Sequence, residues 1–241
     1  ARVSIAYPVA AKGRTATTLA MFSLIVFTLV GTATISNTFS NFLDIESGSG
    51  GYDILVQTNP FNPVTPDAFA ASLQTLEQEA QIAAPVALAS AVSAPVQAQS
   101  AEMSRPAAYL INGVDDDFFS TQHLELSGIT SGYASAEDVW VALKDDPGTV
   151  VIDGYSVDRA GDPTFQGSAD AFSVPSISAA DAEFGPTTIT LVGSDGQPRE
   201  FTVIGVLSSA PGFYGAMMNA EAAADLGYEN PNRYFVRLAP D

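Results

Sequence analysis

Cysteine is absent from this 241-residue chain. That excludes disulfides, thiolate metal sites and a cysteine nucleophile. It does not exclude an extracytoplasmic location, because a chain of this length can bury a core that needs no covalent staple. Histidine is nearly absent: His123, in Gln122-His123-Leu124, is the only one. A Ser-His-Asp triad or a multi-histidine metal site would have to use it, and no Gly-x-Ser-x-Gly elbow occurs. An ordinary surface or capping role is expected for it. The glycine-rich run Glu46-Ser47-Gly48-Ser49-Gly50-Gly51 has no Gly-Lys-Ser/Thr ending, so a phosphate loop is not expected there. It reads instead as a hinge-like link.

Charge is missing in one place and one-signed in another. No charged side chain stands between Thr15 and Leu43. Residues 1–43 carry Arg2, Lys12 and Arg14 and no acid, whereas the rest carries six basic residues against 27 acids. An acidic surface of that size repels nucleic acid, so no nucleic-acid partner is expected. The apolar centre Leu19–Val30 lies within Thr17–Ile35, a run of 19 residues. At about 1.5 Å per residue, a helix of that length nearly spans a hydrocarbon core of roughly 30 Å. The basic flank then places the N-terminus in the cytoplasm and residues 44–241 outside. Residues 1–14 read as a cytoplasmic or interfacial segment, and 15–43 as the transmembrane helix and its exit. The alternative is a signal peptide cleaved near Gly31-Thr32-Ala33. The chain begins at Ala1 and ends at Asp241 just after a strand-like run, as if cut from a longer protein.

The outer region reads as a mixture of strands and helices. Tyr52–Gln57 is a first strand. Thr65 and Pro66 open a helix, with Phe69, Leu73 and Leu76 on one face and an end near Ala80. Ala84–Gln99 is a long strand and Ala107–Val114 another. Asp115–Phe119 is a short helical turn, Ser135 caps a second helix facing inward through Val139, Trp140 and Leu143, and Val150–Asp153 is a buried strand. Residues 154–180 read as loop. Thr187–Val192 and Arg199–Leu207 flank a hairpin turn. Asn219–Leu226 is a helix stopped by Gly227, and Tyr234–Leu238 is a last strand. The fold class expected is α+β.

Few residues suggest chemistry. The triple Asp115–Asp117 and the spaced Asp153, Asp158 and Asp162 offer the oxygen ligands that calcium takes, but neither set has EF-hand spacing. Acidic loops are expected, with no metal and no cofactor. The run Pro211-Gly212-Phe213-Tyr214-Gly215-Ala216-Met217-Met218 is apolar, aromatic and glycine-punctuated. Phe213, Tyr214, Met217 and Met218 are the candidate contacts for a substrate or partner chain. The alternative is a loop folded back on the core.

Several stretches together resemble a family. Tyr7-Pro8, Arg14-Thr15, Thr18–Phe22 and Val26–Leu29 look like the membrane start of FtsX-like ABC transporter permeases. Gly51-Tyr52-Asp53-Ile54, the hairpin ending Phe201–Leu207, Phe213-Tyr214-Gly215 and Tyr234–Leu238 resemble the MacB-like periplasmic core domain of those permeases. The resemblance covers nearly the whole chain and is weakest over 105–180. It implies a porter-like β-α-β lobe (52–100 with 187–241) and an inserted lobe at 101–186. It also implies a multi-pass bacterial membrane protein, paired as a homo- or pseudo-dimer, that works with a cytoplasmic ABC ATPase on a separate chain. That work is export, lipoprotein or lipid release, or mechanotransmission. The chain itself is expected not to be an enzyme. The competing expectation is a membrane-anchored extracytoplasmic sensor.

Overall fold

The computed structural model describes residues 12–42, 49–59, 62–159, 171–208 and 210–240. The segment 1–11, most of the expected hinge and Asp162 lie outside the described residues. The chain divides into two compact units, Ala1–Asp44 and Ile45–Asp241.

The first unit is one helix, α1 (Lys12–Phe42). It contains neither proline nor an internal charge after Arg14, so nothing in its sequence breaks the backbone ladder. Its apolar side chains point outward on every side. Leu19, Met21, Phe22, Leu24, Ile25 and Phe27 are all more than half exposed, and at 100° per residue they circle the axis. The Thr28 hydroxyl donates back to the Leu24 carbonyl at 2.8 Å, and that of Thr17 to Gly13 at 3.0 Å. Among the described residues no helix is long and apolar enough to cross a membrane. The side chains of α1 are described without a break only over 19–34.

The second unit is mixed and sheet-dominated. Its strands are β1 (Ile54–Gln57), β2 (Pro85–Ser100), β3 (Ala107–Val114), β4 (Leu126–Thr130), β5 (Thr149–Ile152), β6 (Val157–Asp158), β7 (Val174–Ser178), β8 (Glu183–Phe184), β9 (Thr187–Val192), β10 (Pro198–Leu207), β11 (Ala216–Asn219) and β12 (Arg233–Leu238). The helices α2 (Pro66–Gln78), α3 (Asp116–Thr121), α4 (Ala136–Asp145) and α5 (Ala220–Asp225) are interleaved. Thr65 and Ser135 cap α2 and α4 as the sequence predicts, and Asp115 and Asn219 cap the other two. The side chains of Thr65, Asp115, Ser135 and Asn219 accept from backbone N–H groups of the first turn, which satisfies donors the helix cannot.

One ten-stranded sheet runs β1-β12-β2-β3-β11-β5-β10-β4-β8, with β9 bonded to both β10 and β2. That last pairing closes β2, β3, β11, β5, β10 and β9 into a ring. Alternate residues of the ring strands face one core: Val92, Val96, Ile111, Val150, Leu191 and Val203 among them. Many of its members are alanines, such as Ala94, Ala98, Ala107 and Ala216, because a narrow closed sheet leaves room for few large side chains. The opposite face packs under α3 and α4 through Phe118, Val139, Trp140, Leu143, Ile204 and Phe235. Residues 101–186, expected as an inserted lobe, supply β3, β4, β5 and β8 to the same sheet.

Two stretches differ from the sequence reading. Within the presumed loop 154–180, β6 and β7 pair in parallel. Ala216–Met218, read as the end of an aromatic run, belongs to β11 (Ala216–Asn219), paired with both β3 and β5. Both are short strands with no room for periodicity, so only their partners define them.

Candidate functional site

The singled-out run 211–218 proves to be a strap followed by a buried strand. Phe213, Met217 and Met218 are at most 4% exposed. The Phe213 ring stacks on Phe235 with centroids 5.4 Å apart, Met217 joins the core under the helices, and Met218 faces the ring interior. Three of the four expected contact residues therefore fold back on the core: Met217 and Met218 because β11 must be apolar on both faces to sit mid-sheet, and Phe213 by its stacking on Phe235. Tyr214, 45% exposed, is the one that reaches the surface.

Three buried polar side chains from distant parts of the chain hold the strap by its backbone. Arg233 donates to the Gly212 carbonyl at 2.6 Å and to Asn112 Oδ1 at 2.9 Å. Asn112 in turn donates to the Tyr214 carbonyl at 2.7 Å. Asp153 Oδ2 accepts the Gly215 N–H at 2.8 Å. Gly215 has φ 99, and a Cβ there would stand 2.3 Å from the Leu110 carbonyl oxygen, so the strap needs glycine at that point. Among the described residues Arg233 bonds only to neutral acceptors, and its ε N–H has no partner. Burial lowers its guanidinium pKa.

Asp153 is a hub. Besides Gly215 it accepts the Tyr109 hydroxyl at 2.8 Å, the Ser156 hydroxyl at 3.0 Å and the Tyr155 N–H at 2.8 Å. The Ser156 and Tyr109 hydroxyl oxygens lie 2.9 Å apart. Burial, then the Asp153 charge, pushes the Tyr109 hydroxyl well above its usual range. It therefore stays protonated and donating at neutral pH. A shallow cavity of about 280 Å³ beside this hub is lined by Pro95, Tyr109, Leu110, Asp153, Tyr214 and Gly215.

A second cluster joins the incoming and outgoing chain of the unit. β1 pairs antiparallel with β12, so Ile54 lies opposite Val236. Asp53 N–H donates to the Val236 carbonyl at 2.9 Å, and Leu238 N–H to Asp53 Oδ2 at 2.7 Å. Arg237 ties three segments together. Its Nε donates to the Gly51 carbonyl at 2.6 Å, an η nitrogen donates to the Thr121 carbonyl at the end of α3, and its guanidinium lies 5.6 Å from the Tyr52 ring centre. A cation at that helix end opposes the dipole favourably. Tyr52 shares a 2.7 Å hydrogen bond with Thr121 Oγ1, and burial raises its pKa to about 12.

The glycines here lock rather than loosen. Gly50 and Gly51 have φ 63 and 81, and Tyr52 N–H donates to the Ser49 carbonyl at 3.2 Å. This is a tight turn of the kind that needs positive φ at both central residues. A Cβ on Gly51 would meet Arg237 at 2.6 Å and His123 at 2.7 Å. The hinge expectation is thus corrected at 49–51. His123 is exposed and its N–H donates to the Gly50 carbonyl at 2.8 Å. Sequence reasoning missed Arg237, since a lone arginine in a terminal strand carries no motif.

Among the described residues no group of three or more His, Asp or Glu converges as a metal site. Asp115, considered for calcium, instead caps α3 and accepts from Ser90 N–H and hydroxyl, each at 2.6 Å.

No family model and no curated protein matches the sequence. Among solved structures, the chain is similar to the extracellular domain of the noncanonical ABC-type transporter YknZ from Gram-positive bacteria. The two share 12% identity over 77% of this chain and 82% of that one, with a TM-score of 0.40. It is similar also to the periplasmic region of MacB from Actinobacillus actinomycetemcomitans, with 13% identity over 78% of this chain and 74% of that one, and a TM-score of 0.38.

Proposed function

We propose that this chain is part of a permease of an ABC transporter. In this reading α1 crosses the membrane, residues 44–241 lie outside it, and the chain passes motion rather than catalysing a reaction. The observation that carries the reading is the pairing of β1 with β12, closed by Arg237. The incoming and outgoing segments of the outer unit are neighbours in one sheet. A displacement applied to either is therefore felt by both, and the unit moves as a body. The apolar, all-round exposed surface of α1 supports the membrane assignment, as does the change from a basic to an acidic flank. Threonine hydroxyls that bond to the preceding turn suit lipid, where no water can serve them. ATP hydrolysis falls to a partner chain in the cytoplasm.

The test is co-purification. The complete membrane protein is expressed with an affinity tag and extracted in detergent. A stoichiometric nucleotide-binding subunit is expected with it. A stable preparation with no such subunit would overturn the transporter reading and leave an anchored sensor in its place.

A further inference from the structure

The Asp153 cavity is unused by the proposal above, and its chemistry points to one class of ligand. Asp153 is 4% exposed, and its four donors are two hydroxyls and two backbone N–H groups, all neutral. Among the described residues no ion pair joins Asp153 to a cation, so the buried carboxylate lends a negative potential to the adjoining space. That space is walled by tyrosines. Tyr109 and Tyr214 line it, and the Tyr155 ring lies 5.4 Å from that of Tyr214. Aromatic faces attract cations. One of these rings already does so: the Arg159 guanidinium lies 4.8 Å from the Tyr155 ring centre. The remaining wall, Pro95, Ala108 and Leu110, is apolar and suits the alkyl part of an amphipathic cation. With six basic residues against 27 acids after residue 43, the field of the outer unit concentrates cations and repels anions.

We propose that this cavity binds an alkylammonium group, with Tyr109 and Tyr214 against its alkyl face and Asp153 supplying the countercharge.

The full chain in dodecyl maltoside is titrated by calorimetry with choline, with its neutral isostere 3,3-dimethyl-1-butanol, and with a blocked tripeptide carrying one lysine. Choline is expected to saturate one site, and the neutral isostere to bind at least about tenfold more weakly, in line with the worth of a desolvated cation–π contact. Tyr214→Ala is expected to weaken choline about fivefold or more, and Tyr214→Phe to restore it. Tyr214 is 45% exposed, so neither change threatens the fold, and an unshifted melting curve checks this. Leu110→Lys, at a 41% exposed position, places a cation at the mouth and is expected to abolish binding. Choline bound more tightly than the tripeptide assigns a small quaternary ammonium, and the reverse assigns a peptide lysine. Equal binding of the neutral isostere, unchanged affinity in Tyr214→Ala, or no saturable binding would each overturn the proposal.

Discussion

Phe27 in α1 is 76% exposed, while Phe118 and Phe235 in the outer unit are at most 1% exposed. The same side chain is thus placed in opposite ways in two regions of one chain. In the outer unit, aromatic rings gather at one place: Tyr52, Phe118, Phe213 and Phe235 touch one another beneath the Arg237 clamp. In α1 the rings and aliphatic chains face away from their own backbone on all sides. The difference teaches which solvent each region is built for. Burial removes apolar surface from water in the outer unit, at about 25 cal/mol per Å². For α1 the same removal would come from lipid under the membrane reading proposed above.

The sharpest way to break the comparison is to exchange the treatment of one ring. Phe235→Ala is expected to cost the outer unit about 3–5 kcal/mol, read as a lowered urea midpoint, because the ring is buried among three others. Phe22→Ala in α1 is expected to leave that midpoint unchanged. If both shifted it equally, the two regions would share one core. Next in size, Phe27→Arg places a charge in the middle of α1 and is expected to cost about 2.5–3.5 kcal/mol of membrane insertion. Alkaline extraction of membranes reads the loss, and an unchanged membrane fraction would remove the lipid assignment.

Arg237→Gln sharpens the comparison at the base of the outer unit. Losing charge-assisted bonds to the Gly51 and Thr121 carbonyls is expected to cost about 1.5–3 kcal/mol in thermal unfolding. Under the transporter reading proposed above it should uncouple ATP hydrolysis from transport, while Lys144→Gln, at an exposed ion pair, does not. Gly51→Ala is smaller, about 1–2 kcal/mol, since it forces a side chain into the left-handed region. It should lower stability without changing α1. The smallest effect belongs to Asp195, which two hydrogen bonds from Arg199, at 2.9 and 3.1 Å, hold at a pKa of about 2. A depressed carboxylate stabilises the folded state above its unfolded pKa of about 4, and that contribution is lost as pH falls through 2. Asp195→Asn should therefore flatten the acid limb of the unfolding curve only slightly, since the pair is solvent-screened. A large change would mean that the hairpin turn carries more of the fold than its exposure suggests.

Much of this was legible in the residues. Thr65, Asp115, Ser135 and Asn219 announce helix starts because a cap acts on neighbours two or three residues away. The β9–β10 hairpin is marked by its own turn, with Gly196 at φ 75. The candidate site was legible only in part. Tyr214 was found because aromatics beside glycines stand out, but Phe213, Met217 and Met218 have the same look and are core. Arg237 and Asn112 gave no local signal, for the partners that define them lie 186 and 102 residues away, and Asp153, singled out only as a possible calcium ligand, meets Tyr109 across 44 residues.

The order of residues alone determined a helix through Thr17–Ile35, the capped helices and most of the long strands, because each depends on contacts within a few residues. It determined too the basic-to-acidic change of flank and the absence of thiol chemistry. Only the tertiary structure decided the rest. The closure of β9 onto β2, the assignment of Ala216–Asn219 to a mid-sheet strand, the locking of Gly50–Gly51 and the meeting of Asp153 with three tyrosines all rest on residues remote in sequence. Sheet pairing and buried polar networks are satisfied by whichever partner the fold delivers, and that partner is not written beside the residue that needs it.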